Sequence, residues 1–156
     1  MRITRRDFNK AGLGALSFAA FGGSAFAGPE HMIRKAIPSS GEMVPVIGLG
    51  TNRYGVGDDT EKRAVLSAAL KRFHELGGTV IDTAPMYRSS ETVLGDLIAD
   101  LGIRDDLFIA TKTDRKDGAA ANVEQMQSSQ QKLKTKVIDL MQVHNLINWQ
   151  AALPVL

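Results

Sequence analysis

Gly77-Gly78-Thr79-Val80-Ile81-Asp82-Thr83-Ala84-Pro85-Met86-Tyr87-Arg88-Ser89-Ser90-Glu91-Thr92-Val93-Leu94-Gly95 is the stretch from which the rest of the chain can be read. Two glycines, a β-branched run, a turn around Pro85 and a Ser-rich helix start spell strand, loop and helix. In parallel α/β folds the chemistry gathers where strands end. Asp82, closing the strand, and Tyr87 in the loop beyond it are therefore predicted at the C-terminal mouth of a sheet or barrel. Taken alone, such a pair also has an ordinary reading, an Asp that caps a loop and a Tyr that packs.

The same unit recurs on both sides. Upstream, Val65, Ala69, Phe73 and Leu76 mark a helical stripe over residues 59–76; Asp58 with Glu61 has the form of a capping box, and Gly77 stops the helix. Before it, Ile47-Gly48-Leu49-Gly50-Thr51 reads as a first core strand. Residues 33–37 and 43–46, flanking Pro38-Ser39-Ser40-Gly41, read as a β-hairpin. Downstream, a helix starting near Ser89 or Ser90 is predicted to bury Val93, Leu94, Leu97, Ile98 and Leu101 and to end at Gly102. Residues 107–111 form a third strand, Val123, Met126 and Leu133 mark a third helix, and residues 137–144 form a fourth strand. Serial strand-helix-strand crossovers require parallel strands, so the class is α/β, either a barrel or a doubly wound sheet.

Polar groups of complementary kinds stand at the strand ends. The second strand delivers Asp82 and, just beyond, Tyr87; the third delivers Lys112; the fourth delivers His144. Singly, a lysine after a strand is usually solvated and a histidine usually a satisfied core or loop residue. Together they make a working proton donor. A phenol gives up its proton more readily beside an ammonium, a carboxylate holds that ammonium in place, and an imidazole orients the acceptor.

These residues resemble the aldo-keto reductases. The resemblance runs from residue 32 to the last residue and rests on Val44-Pro45-Val46-Ile47-Gly48-Leu49-Gly50-Thr51, on residues 80–87, on Phe108-Ile109-Ala110-Thr111-Lys112 and on Ile138-Asp139-Leu140-Met141-Gln142-Val143-His144. It implies a parallel (β/α)8 TIM-type barrel plugged by an N-terminal β-hairpin, and reduction of an aldehyde or ketone with NADPH or NADH. By the same resemblance Asp82, Tyr87, Lys112 and His144 match the catalytic tetrad. Tyr87 then gives a proton to the carbonyl oxygen as hydride arrives from the nicotinamide, Lys112 held by Asp82 assists it, and His144 hydrogen-bonds the carbonyl. Gly50 and Thr51 match positions near the nicotinamide.

Two features depart from the family pattern. Arg88 follows the tyrosine where most members carry glycine, which tolerates backbone angles that arginine resists. Eight strand-helix units also need about 250 residues, so residues 28–156 are expected to supply only about the first four βα units, the N-terminal half of a barrel. The alternative reading is a remnant or binding module that keeps the tetrad without the cofactor-binding half. A half barrel with open edges is expected to self-associate. Residues 28–156 contain no Gly-x-Gly-x-x-Gly or phosphate loop, and no Gly-x-Ser-x-Gly elbow supports a hydrolase.

Composition narrows the remaining choices. The 156 residues are 44% hydrophobic and 23% charged, enough for one modest globular domain. A net charge of +2, with Arg2, Arg5, Arg6 and Lys10 clustered at the start, gives no case for a nucleic-acid partner. Without cysteine there is no disulfide framework and no thiolate chemistry. Residues 1–27 read as a twin-arginine signal peptide: Arg5-Arg6 precedes a Gly- and Ala-rich apolar run, and Ala25-Phe26-Ala27 supplies a small-x-small cleavage site. The run falls short of the roughly 20 apolar residues of a membrane span, which favours cleavage over an uncleaved anchor. The expected partners are thus a small carbonyl substrate and the twin-arginine export machinery, and the expected location is the periplasm.

Overall fold

A computed structural model describes residues 32–156; the paired arginines and the Ala25-Phe26-Ala27 site lie outside the described residues. The hairpin comes first, β1 (Arg34–Ala36) antiparallel to β2 (Met43–Pro45), with Lys35 opposite Val44. Its turn closes through Ile37 N–H to Glu42 O and Gly41 N–H to Ile37 O, both 2.8 Å.

Four parallel strands follow: β3 (Gly48–Gly50), β4 (Val80–Asp82), β5 (Phe108–Thr113) and β6 (Leu140–Val143). Helices α1 (Thr60–Glu75), α2 (Ser90–Leu101) and α3 (Ala119–Lys132) connect them in turn, and a short α4 (Trp149–Ala152) comes after β6. Strand order in the sheet is β3-β4-β5-β6, identical to chain order. A doubly wound sheet reverses its order at a switch point. Unreversed order is the winding of one arc of a (β/α) barrel, and the four strands with their helices are consistent with part of such a barrel.

The core lies between the sheet and the helices. Ile81 of β4 and Ile109 of β5 are fully buried against Leu70 of α1, Val93, Leu94, Leu97 and Ile98 of α2, and Leu133 after α3. Each such aliphatic side chain contributes roughly 1.5–3 kcal/mol on burial. α2 buries the face expected of it, although Leu101 is only half-buried, and it ends at Gly102, whose φ of 65° glycine adopts at little cost.

Helix α1 is rotated relative to the sequence expectation. Val65 is 69% exposed and Leu76 and Ala69 also face solvent; of the expected stripe Phe73 alone packs on the core, together with Leu66 and Leu70. A stripe at three- and four-residue spacing can be drawn through either set, and only the neighbouring α2 selects one. The cap moves by one residue as well: Asp59, not Asp58, is the N-cap, and its carboxylate accepts from Lys62 N–H at 3.0 Å. Strand ends shift similarly. Lys112 lies inside β5 rather than after it, and β6 starts at Leu140 and stops before His144, which opens a 3-10 turn (His144–Leu146).

Helix α3 buries polar residues. Asn122 and Ser129 are fully covered, whereas Val123 and Met126 are half-buried. The Asn122 amide donates to Arg115 O (3.2 Å) and Gly118 O (2.8 Å) and its carbonyl accepts from Thr113 Oγ1, so it satisfies the β5-α3 loop from inside.

Two charged clamps tie the helical layer together. Asp96 of α2 binds Arg63 of α1 at 2.5 Å and Lys134, after α3, at 2.7 Å. Arg104 donates to Thr135 Oγ1 (2.9 Å), Leu107 O (2.8 Å), Val137 O (2.7 Å) and Asp139 Oδ2 (3.0 Å), joining the turns that precede β5 and β6. Asp139 Oδ2 also accepts from Ile109 N–H at 2.8 Å, which sets the start of β6 against β5.

Candidate active site

Strand register builds the site. Gly50, Asp82 and Ala110 are paired neighbours across β3, β4 and β5, and Lys112 pairs with Gln142 of β6. Alternation along β5 puts Lys112 on the same face as Ala110, opposite to the helix-facing Ile109, Thr111 and Thr113. Its ammonium therefore lies over the inner face beside the end of β4. It donates to Asp82 Oδ1 at 2.6 Å and to Thr83 O at 2.8 Å. Gln142 Nε2 approaches the same Asp82 oxygen at 3.4 Å. Sequence reasoning did not select Gln142, although its place two residues before His144 puts it on the inner face.

Tyr87 arrives from the β4-α2 loop. Its N–H donates to Ala84 O and its carbonyl accepts from Ser90 N–H, both at 3.0 Å, so a tight turn presents the ring. Lys112 Nζ lies 5.3 Å from the centre of that ring, within cation-π range. The His144 ring meets it edge-on, with centroids 5.9 Å apart and planes at 84°. His144 Nδ1 is buried without a hydrogen-bond partner among the described residues. All four predicted groups thus converge at one mouth. Lys112 lies over the aromatic ring, and among the described residues no hydrogen bond joins it to the phenol oxygen.

Gly50 and Thr51 border a cleft of about 290 Å³ with Asn52, Asp82 and Tyr87. A β-carbon at Gly50 would meet nothing within 4 Å, so open space stands above the strand beside the tetrad. Thr51 is different: it is fully buried, and its hydroxyl and N–H both bind Asp82 O, at 2.9 and 3.0 Å. It lines the cleft and ties the end of β3 to Asp82. Asn52 has no sequence signal beyond its neighbours. A larger cleft of about 550 Å³ opens near the N-terminal ends of the strands, lined by hairpin residues with Phe108, Arg104 and Lys136, and contains none of the four groups.

The two loop-borne members of the site sit beside unusual backbone. Arg88, directly after Tyr87, has φ 57°, and Asn145 and Leu146, directly after His144, have φ 52° and 56°. Side chains beyond glycine adopt such angles at a cost. Gly55 makes room for the first of these turns, because a β-carbon there would overlap the Tyr87 carbonyl and lie 2.9 Å from Arg88 Cβ.

A parallel βα arc with a carboxylate, a phenol, an ammonium and an imidazole at its C-terminal mouth defines a class, and the comparisons agree with it. The Aldo/keto reductase family profile matches residues 46–155, and the chain belongs to that family. It is 35% identical over 125 residues, 70% of its length, to Aldo-keto reductase YhdN of Bacillus subtilis. It is 33% identical over 117 residues, 72% of its length, to Methylglyoxal reductase YeaE of Escherichia coli. The chain spans 37% and 40% of the lengths of these two relatives. Among solved structures, an aldo/keto reductase from Klebsiella pneumoniae in complex with NADP and acetate superimposes with a TM-score of 0.61 at 33% identity, covering 72% of this chain and 40% of that one.

Proposed function

We propose that the protein reduces a small aldehyde or ketone with NADPH or NADH, Tyr87 giving the proton. The observation that carries this reading is the Lys112 ammonium held by Asp82 at 2.6 Å and set against the Tyr87 ring at 5.3 Å. The cleft beside it has a volume near the lower end of small-molecule sites, about 300–1,000 Å³, which suits one ring system better than a whole dinucleotide. The open floor at Gly50 fits a flat nicotinamide, with Thr51 and Asn52 at its border. When bound, the cofactor supplies a hydride to the carbonyl carbon. The chain's own residues handle the proton: Tyr87 releases it to the carbonyl oxygen, the adjacent ammonium stabilises the phenolate left behind, and His144 hydrogen-bonds and orients that oxygen. Similarity to a methylglyoxal reductase favours a small, activated carbonyl as substrate.

The test is nicotinamide oxidation by the whole chain on addition of small aldehydes, with fluorescence titration of cofactor binding alongside. Tyr87→Phe is expected to lose about 10²–10⁴-fold in turnover while cofactor affinity is kept. Retained turnover overturns the role of Tyr87. Failure of the unaltered chain to bind cofactor favours the alternative, a module that keeps the tetrad without catalysis.

The same reading includes export through the twin-arginine machinery to the periplasm, supported by Arg5-Arg6 and Ala25-Phe26-Ala27. No helix among the described residues is long and apolar enough to cross a membrane. Changing both arginines to lysine is expected to hold the protein in the cytoplasm, and an unchanged periplasmic yield overturns the export reading.

A further inference from the structure

Three residues after Tyr87, α2 begins with two polar side chains that are both buried. Ser90 is fully covered and Glu91 is 2% exposed. Ser90 Oγ donates to Thr51 O at 2.9 Å and lies 3.2 Å from Thr83 Oγ1, which leaves it accepting from Thr83. Thr51 in turn donates to Asp82 O. Glu91 Oε1 accepts from Thr111 Oγ1 at 2.7 Å, and Thr111 is the residue before Lys112. Two consecutive residues therefore reach the ends of β3, β4 and β5 from the helix side of the sheet.

Glu91 breaks the pattern of its surroundings. Val93 and Leu94, which follow it in α2, and Ile109, two residues before its partner Thr111, belong to the apolar core. A covered carboxylate is costly unless fully partnered. Among the described residues its Oε2 has no hydrogen bond, and the Lys132 ammonium stands 4.0 Å away. The N-terminal turn of α2 favours a negative charge there, but that holds equally for an exposed position. Stability alone does not account for this residue. Its contact does: alternation sends Thr111 outward and Lys112 inward, so a bond that fixes Thr111 fixes the origin of the Lys112 side chain.

We propose that Ser90 and Glu91 are positioning residues that hold the Tyr87 turn and the Lys112 strand at a set spacing from the outer face of the sheet. The proposal rests on the reductase reading for its catalytic meaning, and its test needs no turnover. The chain has two tyrosines, Tyr54 and Tyr87, so uniform 3-fluorotyrosine labelling gives two fluorine resonances, with core-buried Tyr54 as the internal reference. The double variant Glu91→Leu/Thr111→Val removes both polar partners and replaces them with apolar groups of similar shape, an exchange that folds tolerate.

The expected result is that the Tyr87 resonance moves at least halfway to its position in Lys112→Met, while Tyr54 and the helical circular dichroism stay unchanged. Glu91→Gln keeps the Oε1 acceptor and is expected to leave the resonance at its original place. In active protein, kcat of the double variant falls by about 10–100-fold with KM for the cofactor unmoved. An unmoved Tyr87 resonance, a Tyr54 shift of equal size, or no response to Lys112→Met each overturns the proposal. If the double variant loses its helical signal, Glu91→Met is read by the same two resonances and the same criteria. An inactive chain whose Tyr87 still responds removes the reductase reading and keeps the positioning role; an active chain whose Tyr87 does not respond does the reverse.

Discussion

Lys112 and Asp82 meet at 2.6 Å although they are two positions out of register: Asp82 pairs with Ala110, and Lys112 stands one inward-facing step further along β5. The lysine stem thus leans back across the sheet toward β4. Its side chain is 14% exposed and that of Asp82 is 42% exposed, so the ammonium depends on its partners more than the carboxylate does.

Asp82→Asn keeps the shape and removes the charge. The ammonium then retains Thr83 O and loses its counter-ion, and its aim at Tyr87 loosens. Turnover is expected to drop by roughly 10–100-fold with little change in cofactor affinity, the signature of an interaction made mainly in the transition state. Steady-state kinetics with a small aldehyde checks it, and equal losses in kcat and in cofactor binding would contradict it.

Gly55→Ala tests the Tyr87 turn without touching a charged group. The added methyl would overlap the Tyr87 carbonyl, so loop or strand must give way. A loss of about 1–3 kcal/mol in stability is expected, together with lower turnover. Thermal melts and kinetics decide, and an unchanged melting temperature contradicts the crowding.

Much of this was legible from residues alone, for identifiable reasons. Asp82, Lys112 and His144 close or nearly close strands, and strand ends are marked by a change from β-branched to polar residues. That the strands run parallel followed from crossovers without knowing any contact, whereas their order in the sheet did not. What the chain could not announce depends on neighbours. The buried face of α1 is chosen by α2, so Val65 fits a helical stripe by spacing yet faces solvent, and Leu70 takes the core place. Thr51 matched a cofactor position, but its hydroxyl is turned inward to Asp82 O. Asn122 and Glu91 are polar residues in covered places, and a search for apolar periodicity passes over such residues.

Arg104→Met removes four hydrogen bonds made by one partly buried guanidinium and leaves Asp139 with Ile109 N–H as its remaining donor. Destabilisation of about 2–3 kcal/mol is expected. In urea titrations the midpoint should fall with the slope unchanged. A variant within experimental scatter of the parent would show that the clamp is dispensable.

Asp96 gives the fold an acid-sensitive joint. The Lys134 ammonium above all, and then Arg63, hold its carboxyl below the ordinary carboxylate value, against the opposing effect of partial burial. A folded value below the unfolded one means that this stabilisation is complete above the unfolded value of about 4 and is lost as pH falls further. Asp96→Asn is expected to cost about 1–2 kcal/mol at neutral pH and to flatten the loss of stability in acid. Urea midpoints from pH 7 to pH 3 check both; parallel curves for the two proteins would rule the joint out.

The backbone angles at Arg88, Asn145 and Leu146 divide the site into two mechanical kinds. Asp82 and Lys112 belong to paired strands and move only if the sheet does. Tyr87 and His144 are hinged beside residues already held in a costly conformation, where a change of residue type alters the local angles directly. If the proposed reduction holds, substrate scope is tunable one residue away from Tyr87 and His144. On the proposed reductase reading, a library that varies positions 88, 145 and 146 while leaving the four groups intact would re-aim the Tyr87 phenol and the His144 imidazole independently, like two adjustable jaws on a fixed anvil.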